Sequence, residues 1–76
     1  MNRVSVEIDG KTESTEISFD TYELLRDGSA LRNRPIEWFL SRVVKEYGGL
    51  TEKNIIKFMD EKWVLWKEKI MSASDN

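Results

Sequence analysis

The feature that most constrains the fold is an apolar stripe near the C-terminus. Its members follow one another at spacings of three and four residues: Ile56, Met59, Trp63, Trp66 and Ile70. That spacing places them along one side of an α-helix, and Ile55, Phe58 and Leu65 widen the stripe to about half of the helix circumference, at roughly 100° per residue. The sequence therefore predicts a helix over residues 51–71 that packs against more than one neighbour.

The N-terminal segment has the alternation of a β-hairpin. Apolar and polar residues alternate on both sides of Asp9-Gly10, two residues that tolerate the positive φ of a turn. A two-residue loop there and a four-residue loop over residues 9–12 both keep the same apolar side chains on one face, namely Val4, Val6, Ile8, Ile17 and Phe19. The longer loop sets Val4 opposite Ile17, and it is the one that we expect. The hairpin is predicted over residues 3–19.

A first helix is predicted over about residues 20–32. Asp20 supplies its N-cap, and Glu23 completes a capping box three residues later. We expect an interruption at Gly28, because glycine in a helix interior costs about 1 kcal/mol relative to alanine. Whether residues 30–33 resume the helix or form a turn is left open by the sequence.

A second helix is predicted over residues 35–47. Pro35 suits its first turn, where the missing N–H removes no hydrogen bond, and Gly48-Gly49 ends it. Its core face is a line of apolar side chains: Ile36, Leu40, Val43 and Tyr47, flanked by Phe39 and Val44. Leu50 and Thr51 then act as hydrophobic staple and N-cap of the third helix.

The predicted fold class is α+β: an N-terminal antiparallel β-hairpin followed by three α-helices, the last the longest. We expect residues 1–72 to form a single small domain and residues 73–76 to form a frayed tail.

Composition excludes most enzyme chemistry. The 76 residues include no cysteine and no histidine, which removes thiol nucleophiles, imidazole bases and the soft or borderline metal ligands together. Gly10-Lys11-Thr12 lacks the preceding glycine of a phosphate-binding P-loop. We therefore expect a non-enzymatic protein with no catalytic residue, no metal and no cofactor. The N-terminus lacks the apolar run of a signal peptide or membrane span, so we expect a cytoplasmic protein.

The net charge of −2 is unevenly distributed. Residues 1–24 carry two basic and six acidic side chains, for a net charge of −4, whereas residues 25–47 carry five basic and three acidic side chains, for +2. Part of the basic segment projects from the second helix on the side opposite to its core face. The candidate partner-binding residues are Arg32, Arg34, Trp38, Arg42 and Lys45.

An aromatic ring among cations suits the binding of an acidic protein, or of phosphates with an unstacked base. The alternative is that the hairpin or the first helix covers Trp38, and that Arg42 only stacks on it as a surface cation–π pair.

The stripe of the third helix also has two interpretations. Its regular spacing suits a groove that binds a partner or a seam for self-association. The candidate residues for self-association are Trp63, Trp66 and Ile70. Ordinary packing within the chain is the interpretation that we favour for most of the stripe, with one tryptophan at an interface as the exception.

Residues 15–47 resemble ribbon-helix-helix DNA-binding proteins in outline. A short strand at Thr15 to Phe19 precedes a helix, a polar turn containing Arg32 and Arg34, and an amphipathic helix. The resemblance implies a dimer whose paired strands read the major groove of DNA. The sequence departs from that pattern through an extra N-terminal strand and through acidic residues on the reading strand, which phosphates would repel.

We expect a small non-enzymatic regulatory or inhibitory protein that binds a larger protein partner. The motivation is the absence of catalytic groups, the segregated charge and an aromatic surface larger than one small core requires. The alternative is a dimeric ribbon-helix-helix-like DNA-binding transcriptional regulator. A homodimer and nucleic acid are thus the alternative partners, and no membrane partner is expected.

Overall fold

The chain folds as a β-hairpin followed by three helices, which confirms the predicted α+β class. A computed structural model describes the backbone of residues 1–74 and the side chains of residues 1–66. The strands are β1 (Asn2–Ile8) and β2 (Lys11–Ile17), and the helices are α1 (Phe19–Arg32), α2 (Ile36–Tyr47) and α3 (Glu52–Ser74). At 23 residues α3 is the longest element, as predicted. Of the predicted tail, residues 73 and 74 belong to α3, and residues 75 and 76 lie outside the described part of the chain.

The hairpin closes through a two-residue turn. Ile8 pairs with Lys11, and Val4 faces Thr15; the four-residue loop that we expected is therefore wrong, and the shorter alternative is right. Asp9 and Gly10 have φ angles of 52° and 80°, the positive values that a type I′ turn requires at both central positions. Such a turn matches the twist of the paired strands, which favours it over a longer loop.

One face of the hairpin lies on the helices. Val4, Val6 and Ile17 are buried, and Ile8 is half-buried. Phe19 was predicted to share this face but is 62% exposed. The reason is that β2 ends at Ile17 and Phe19 is already the first residue of α1, so the alternation of the strand does not reach it.

The start of α1 is capped jointly with α3. Ser18 is the N-cap, two residues before the predicted Asp20, and its Oγ accepts a hydrogen bond from the Thr21 N–H at 3.3 Å. The Ser18 N–H donates to the Glu52 carboxylate at 2.7 Å, a contact that a capping box takes from the third residue of its own helix. The predicted pair of Asp20 and Glu23 is therefore wrong, because a carboxylate from the first turn of α3 satisfies this amide.

Gly28 does not interrupt α1, contrary to expectation. The helix continues to Arg32 and ends at Asn33, which has a φ of 54°. Gly28 is buried, and a Cβ in its place would lie 2.5 Å from Met59 Cε and 3.5 Å from Trp63 Cζ3. The missing side chain therefore allows α1 and α3 to approach each other closely.

Both ends of α2 and the start of α3 follow the sequence signals closely. Pro35 immediately precedes α2, with a φ of −67°, and Gly48 ends it with a φ of 85°. Thr51 caps α3, since its Oγ1 accepts a hydrogen bond from the Asn54 N–H at 3.1 Å. These local signals set the spacing between the two helices along the chain.

The core draws on all five elements. Its buried apolar side chains are Val4, Val6, Ile17, Leu25, Phe39, Leu40, Val43, Leu50, Ile55, Phe58, Met59 and Trp66. On α3 the buried side is rotated from the predicted stripe, because Ile56 and Leu65 are 39% and 57% exposed whereas Phe58 is fully buried. Packing against both α1 and α2 determines which side of α3 faces inward.

Candidate partner-binding cleft

A cleft of about 350 Å³ lies between the C-terminal end of α1 and the helices α2 and α3. Its lining residues are Arg32, Trp38, Arg42, Phe58, Lys62, Leu65 and Trp66. Three of these side chains are cationic and three are aromatic, so the cleft combines positive charge with ring surface. We refer to it as the basic cleft.

The turn between α1 and α2 positions the arginines of the basic cleft. The N–H of Asn33 donates to the Ser29 carbonyl, and the Arg34 N–H donates to the same oxygen at 3.1 Å. The Ser29 hydroxyl donates in turn to the Arg34 carbonyl. These hydrogen bonds fix the backbone from which the Arg32 and Arg34 side chains project.

Guanidinium groups lie against the two tryptophan rings. The Cζ atoms of Arg34 and Arg42 are 5.4 and 5.6 Å from the centroid of the Trp38 ring. The Cζ of Arg32 is 5.6 Å from the centroid of Trp66. Cation–π contacts of this kind contribute about 0.5–1 kcal/mol at exposed sites. They also reduce the conformational freedom of these long side chains before any partner binds.

Trp38 itself is half-buried, which lies between the two predicted alternatives. Its ring packs edge-on against Phe39, with the centroids 4.8 Å apart. The expected i,i+4 stacking by Arg42 is present, and Arg34 adds a second cation to the same ring. Trp38 therefore contacts the core through Phe39 and also lines the cleft.

Arg32 carries a buried donor without an acceptor. Its Nε donates no hydrogen bond to any residue that the structure describes. An unpaired buried donor costs about 1–3 kcal/mol, and more when the group is charged. Because Arg32 lines the cleft, an acceptor that reached this atom would offset that cost.

Glu46 bridges two of the cations in the cleft. It accepts a hydrogen bond from Arg42 Nε at 2.9 Å, and Lys62 Nζ lies 3.4 Å from its other carboxylate oxygen. The bridge connects α2 to α3. Together with Arg32 and Arg34 these groups comprise four cations and one carboxylate, so the described side chains leave the cleft positively charged.

No family model, curated protein or solved structure matches this chain. Among the described residues, no group of three or more carboxylate, histidine or cysteine side chains is placed to hold a metal ion. No helix in the described part of the chain is both long and apolar enough to span a membrane.

The basic cleft brings together four of the five predicted partner-binding residues. Arg32, Trp38 and Arg42 line it, and Arg34 stacks on Trp38 at its edge. Lys45 is exposed in the last turn of α2 and does not line the cleft. The predicted surface is therefore extended toward α1 and α3 and does not continue along α2.

On α3, sequence reasoning considers the aromatic stripe as a binding surface but misses Lys62. Phe58, Lys62 and Trp66 follow one another at spacings of four residues and all line the cleft, and Lys62 Nζ lies 5.9 Å from the Phe58 ring centroid. The sequence signal is a lysine at helical spacing from Phe58 and Trp66, which a stripe defined by apolar residues alone leaves out.

The residues predicted for self-association occupy different environments. Trp66 is only 8% exposed and packs against Phe39, with ring centroids 5.5 Å apart. Trp63 is half-buried and lies 6.2 Å from Trp66 by the same measure. Ile70 lies outside the residues whose side chains the structure describes. Self-association through these residues stays a prediction, and the observed contacts of Trp66 are made within the chain.

Proposed function

We propose that the protein is a small non-enzymatic regulatory or inhibitory protein that binds a larger protein through the basic cleft. The observation that carries this proposal is the stacking of Arg34 and Arg42 on Trp38 beside the pair of Arg32 and Trp66. Tryptophan and arginine are the residues most enriched among those that dominate binding energy at protein interfaces.

Preorganisation favours a binding role for these side chains. An arginine that is already stacked on a ring loses less conformational entropy when it binds a partner than a free one does. The cleft volume of about 350 Å³ has room for roughly one or two side chains of a partner. Binding would thus be anchored at a few buried contacts, while the surrounding surface excludes water.

The experiment is affinity capture from a native lysate with the full chain as bait. The variant Arg34→Ala/Arg42→Ala removes two stacked cations, and Arg3→Ala/Arg26→Ala removes two exposed arginines that do not line the cleft. We expect the captured protein to be lost with the first variant and retained with the second, with unchanged far-UV circular dichroism for both. A protein captured equally well by both variants contradicts the proposal.

The DNA-binding alternative is tested in the same capture by reading out nucleic acid. In the structure β2 pairs with β1 of its own chain, so a ribbon-helix-helix-like dimer has only the other edge of β2 for pairing with a second copy. That alternative predicts retardation of duplex DNA, with an affinity that falls steeply as salt rises. No retardation at low salt removes it.

A further inference from the structure

We propose that the basic cleft binds an acidic peptide segment of the partner, in which a carboxylate lies next to an apolar side chain, and that Glu46 competes with this segment. The inference rests on the proposed function. It adds the chemistry of the segment that is bound and a residue of the same chain, Glu46, that lowers the affinity for it. It follows from the arrangement of cations, ring surface and the single bridging carboxylate among the described residues.

The cations are arranged to accept a carboxylate. A guanidinium whose face lies on an aromatic ring keeps its N–H edge available, and that edge binds a carboxylate through paired hydrogen bonds. The Cζ atoms of Arg32, Arg34 and Arg42 all lie within 5.6 Å of a tryptophan ring centroid. The Nε of Arg42 already donates to Glu46. The buried Nε of Arg32 is a donor that has no acceptor among the described residues. Because this atom is buried, an incoming carboxylate supplies the missing acceptor only if the Arg32 side chain moves to expose it.

The remainder of the lining is suited to an apolar side chain. Leu65 is 57% exposed at the cleft, next to the rings of Phe58 and Trp66. Covering this surface removes apolar area from water, which favours binding. The neighbouring apolar and cationic surfaces therefore call for a segment that presents both kinds of group side by side.

Nucleic acid fits the cleft less well than an acidic peptide. Binding of unstacked bases requires open ring faces along a basic groove that follows the backbone. Two guanidinium groups already lie against Trp38 and a third against Trp66, so a base would have to displace them. Residues 1–24 also carry a net charge of −4, which repels a long polyanion but leaves a short acidic segment little affected.

Glu46 occupies the position of a competing carboxylate. It holds Arg42 at 2.9 Å and Lys62 at 3.4 Å, and both of these cations line the cleft. An acidic segment that binds them must take the place of Glu46 or share the cations with it. Removal of this charge should therefore strengthen binding. If Glu46 served only to hold α2 and α3 together, its removal would weaken binding instead.

The test is a titration of the full chain with short peptides, followed by tryptophan fluorescence. One peptide pool has aspartate or glutamate at alternate positions with leucine, phenylalanine or methionine between them, and the matched pool has asparagine or glutamine in place of the acids. Oligothymidylate serves as the nucleic-acid probe. We expect the acidic pool to bind at least about tenfold more tightly than the amide pool, and Arg34→Ala/Arg42→Ala to weaken its binding by about tenfold or more.

Two charge-neutralising variants on α2 separate competition from general electrostatics. Glu46→Gln should tighten binding of the acidic pool by about threefold or more, while Glu37→Gln makes the same charge change at an exposed position outside the cleft and should have a much smaller effect.

Equal binding of the two peptide pools overturns the inference, as does tighter binding of oligothymidylate. Equal effects of Glu46→Gln and Glu37→Gln overturn the competition by Glu46. Each of these results is distinct from failure of the proposed function, which is shown by a captured protein that Arg34→Ala/Arg42→Ala still retains.

Discussion

Replacement of Gly28 by alanine tests how closely α1 and α3 pack. The added methyl group would lie 2.5 Å from Met59 Cε, 3.5 Å from Trp63 Cζ3 and 3.7 Å from Phe39 Cε1. The first distance is shorter than carbon atoms tolerate, so the end of the Met59 side chain must move. Met59 is fully buried, and forcing an extra methyl into a packed core costs about 1–3 kcal/mol.

Helix propensity acts in the opposite direction. Alanine is favoured over glycine in a helix interior by about 1 kcal/mol. The balance of the two effects predicts that Gly28→Ala lowers the free energy of unfolding by about 0–2 kcal/mol. Met59→Leu removes Cε at nearly constant volume and costs less than about 1.5 kcal/mol. Met59→Leu also removes the atom with which the methyl group added by Gly28→Ala would clash. The free energy of unfolding of the double variant should therefore be about 1 kcal/mol higher than the sum of the two single effects predicts.

Urea unfolding of the wild type, both single variants and the double variant measures this coupling. Tryptophan fluorescence and far-UV circular dichroism serve as the two probes, and Asp27→Ala at the adjacent exposed position controls for helix propensity alone. Two results would refute the reasoning that close helix packing requires glycine here. One is that Gly28→Ala stabilises the protein by the full helix-propensity difference. The other is that the effects of Gly28→Ala and Met59→Leu on the free energy of unfolding add within about 0.5 kcal/mol.

Hydrogen bonds shift the pKa values of two side chains, Glu52 and Tyr47, so we expect stability to depend on pH. The hydrogen bond from the Ser18 N–H holds the pKa of Glu52 below its usual 4.5. The ionised Glu52 carboxylate therefore stabilises the fold at neutral pH, and this contribution is lost as the pH falls through the lowered pKa. Glu52→Gln should lower the urea midpoint at neutral pH and converge with the wild type in acid; a constant difference contradicts this. The hydrogen bond to Glu61 raises the pKa of Tyr47 from 10.0 to about 12, so stability should fall as the pH rises through that range. In a Tyr22→Phe variant, ultraviolet titration reports the ionisation of Tyr47 alone. Adding Glu61→Gln to that variant should return the pKa of Tyr47 toward 10.0. The same titration curve with and without Glu61→Gln counts against the hydrogen bond.

The order of elements could be predicted because most boundaries between them have a local cause. The positive φ angles at Asp9-Gly10 and Gly48, the position of Pro35 and the hydroxyl of Thr51 act within a few residues of their own position. At the start of α1 the hydroxyl of Ser18 is also local, but the carboxylate that binds the Ser18 N–H could not be predicted in this way. This carboxylate belongs to Glu52, which lies 34 residues after Ser18 in the sequence, and only the packing of the helices brings the two together.

The contacts of the basic cleft within α2 could be predicted from the sequence, but the contacts between α2 and the other helices could not. Trp38 and Arg42 are four residues apart on α2, so their contact follows from the helical repeat. The approach of Lys62 depends on which side of α3 faces α2. Apolar spacing alone placed that side incorrectly, since Leu65 was assigned to the core flank but is 57% exposed. Lys62, between Phe58 and Trp66, was a local sign of positive charge there.

The close packing at Gly28 also shapes the basic cleft. Arg32 lies one turn after Gly28 on α1, and Trp66 lies about one turn after Trp63 on α3. The contact that the glycine permits therefore brings the Arg32 guanidinium to 5.6 Å from the Trp66 ring. It follows that Gly28→Ala should weaken binding of the partner as well as destabilise the fold. Val6→Ala removes buried volume from the hairpin away from the cleft, and it should leave the affinity of the folded protein unchanged. Equal loss of affinity in both variants would mean that stability, and not the position of α1, controls binding.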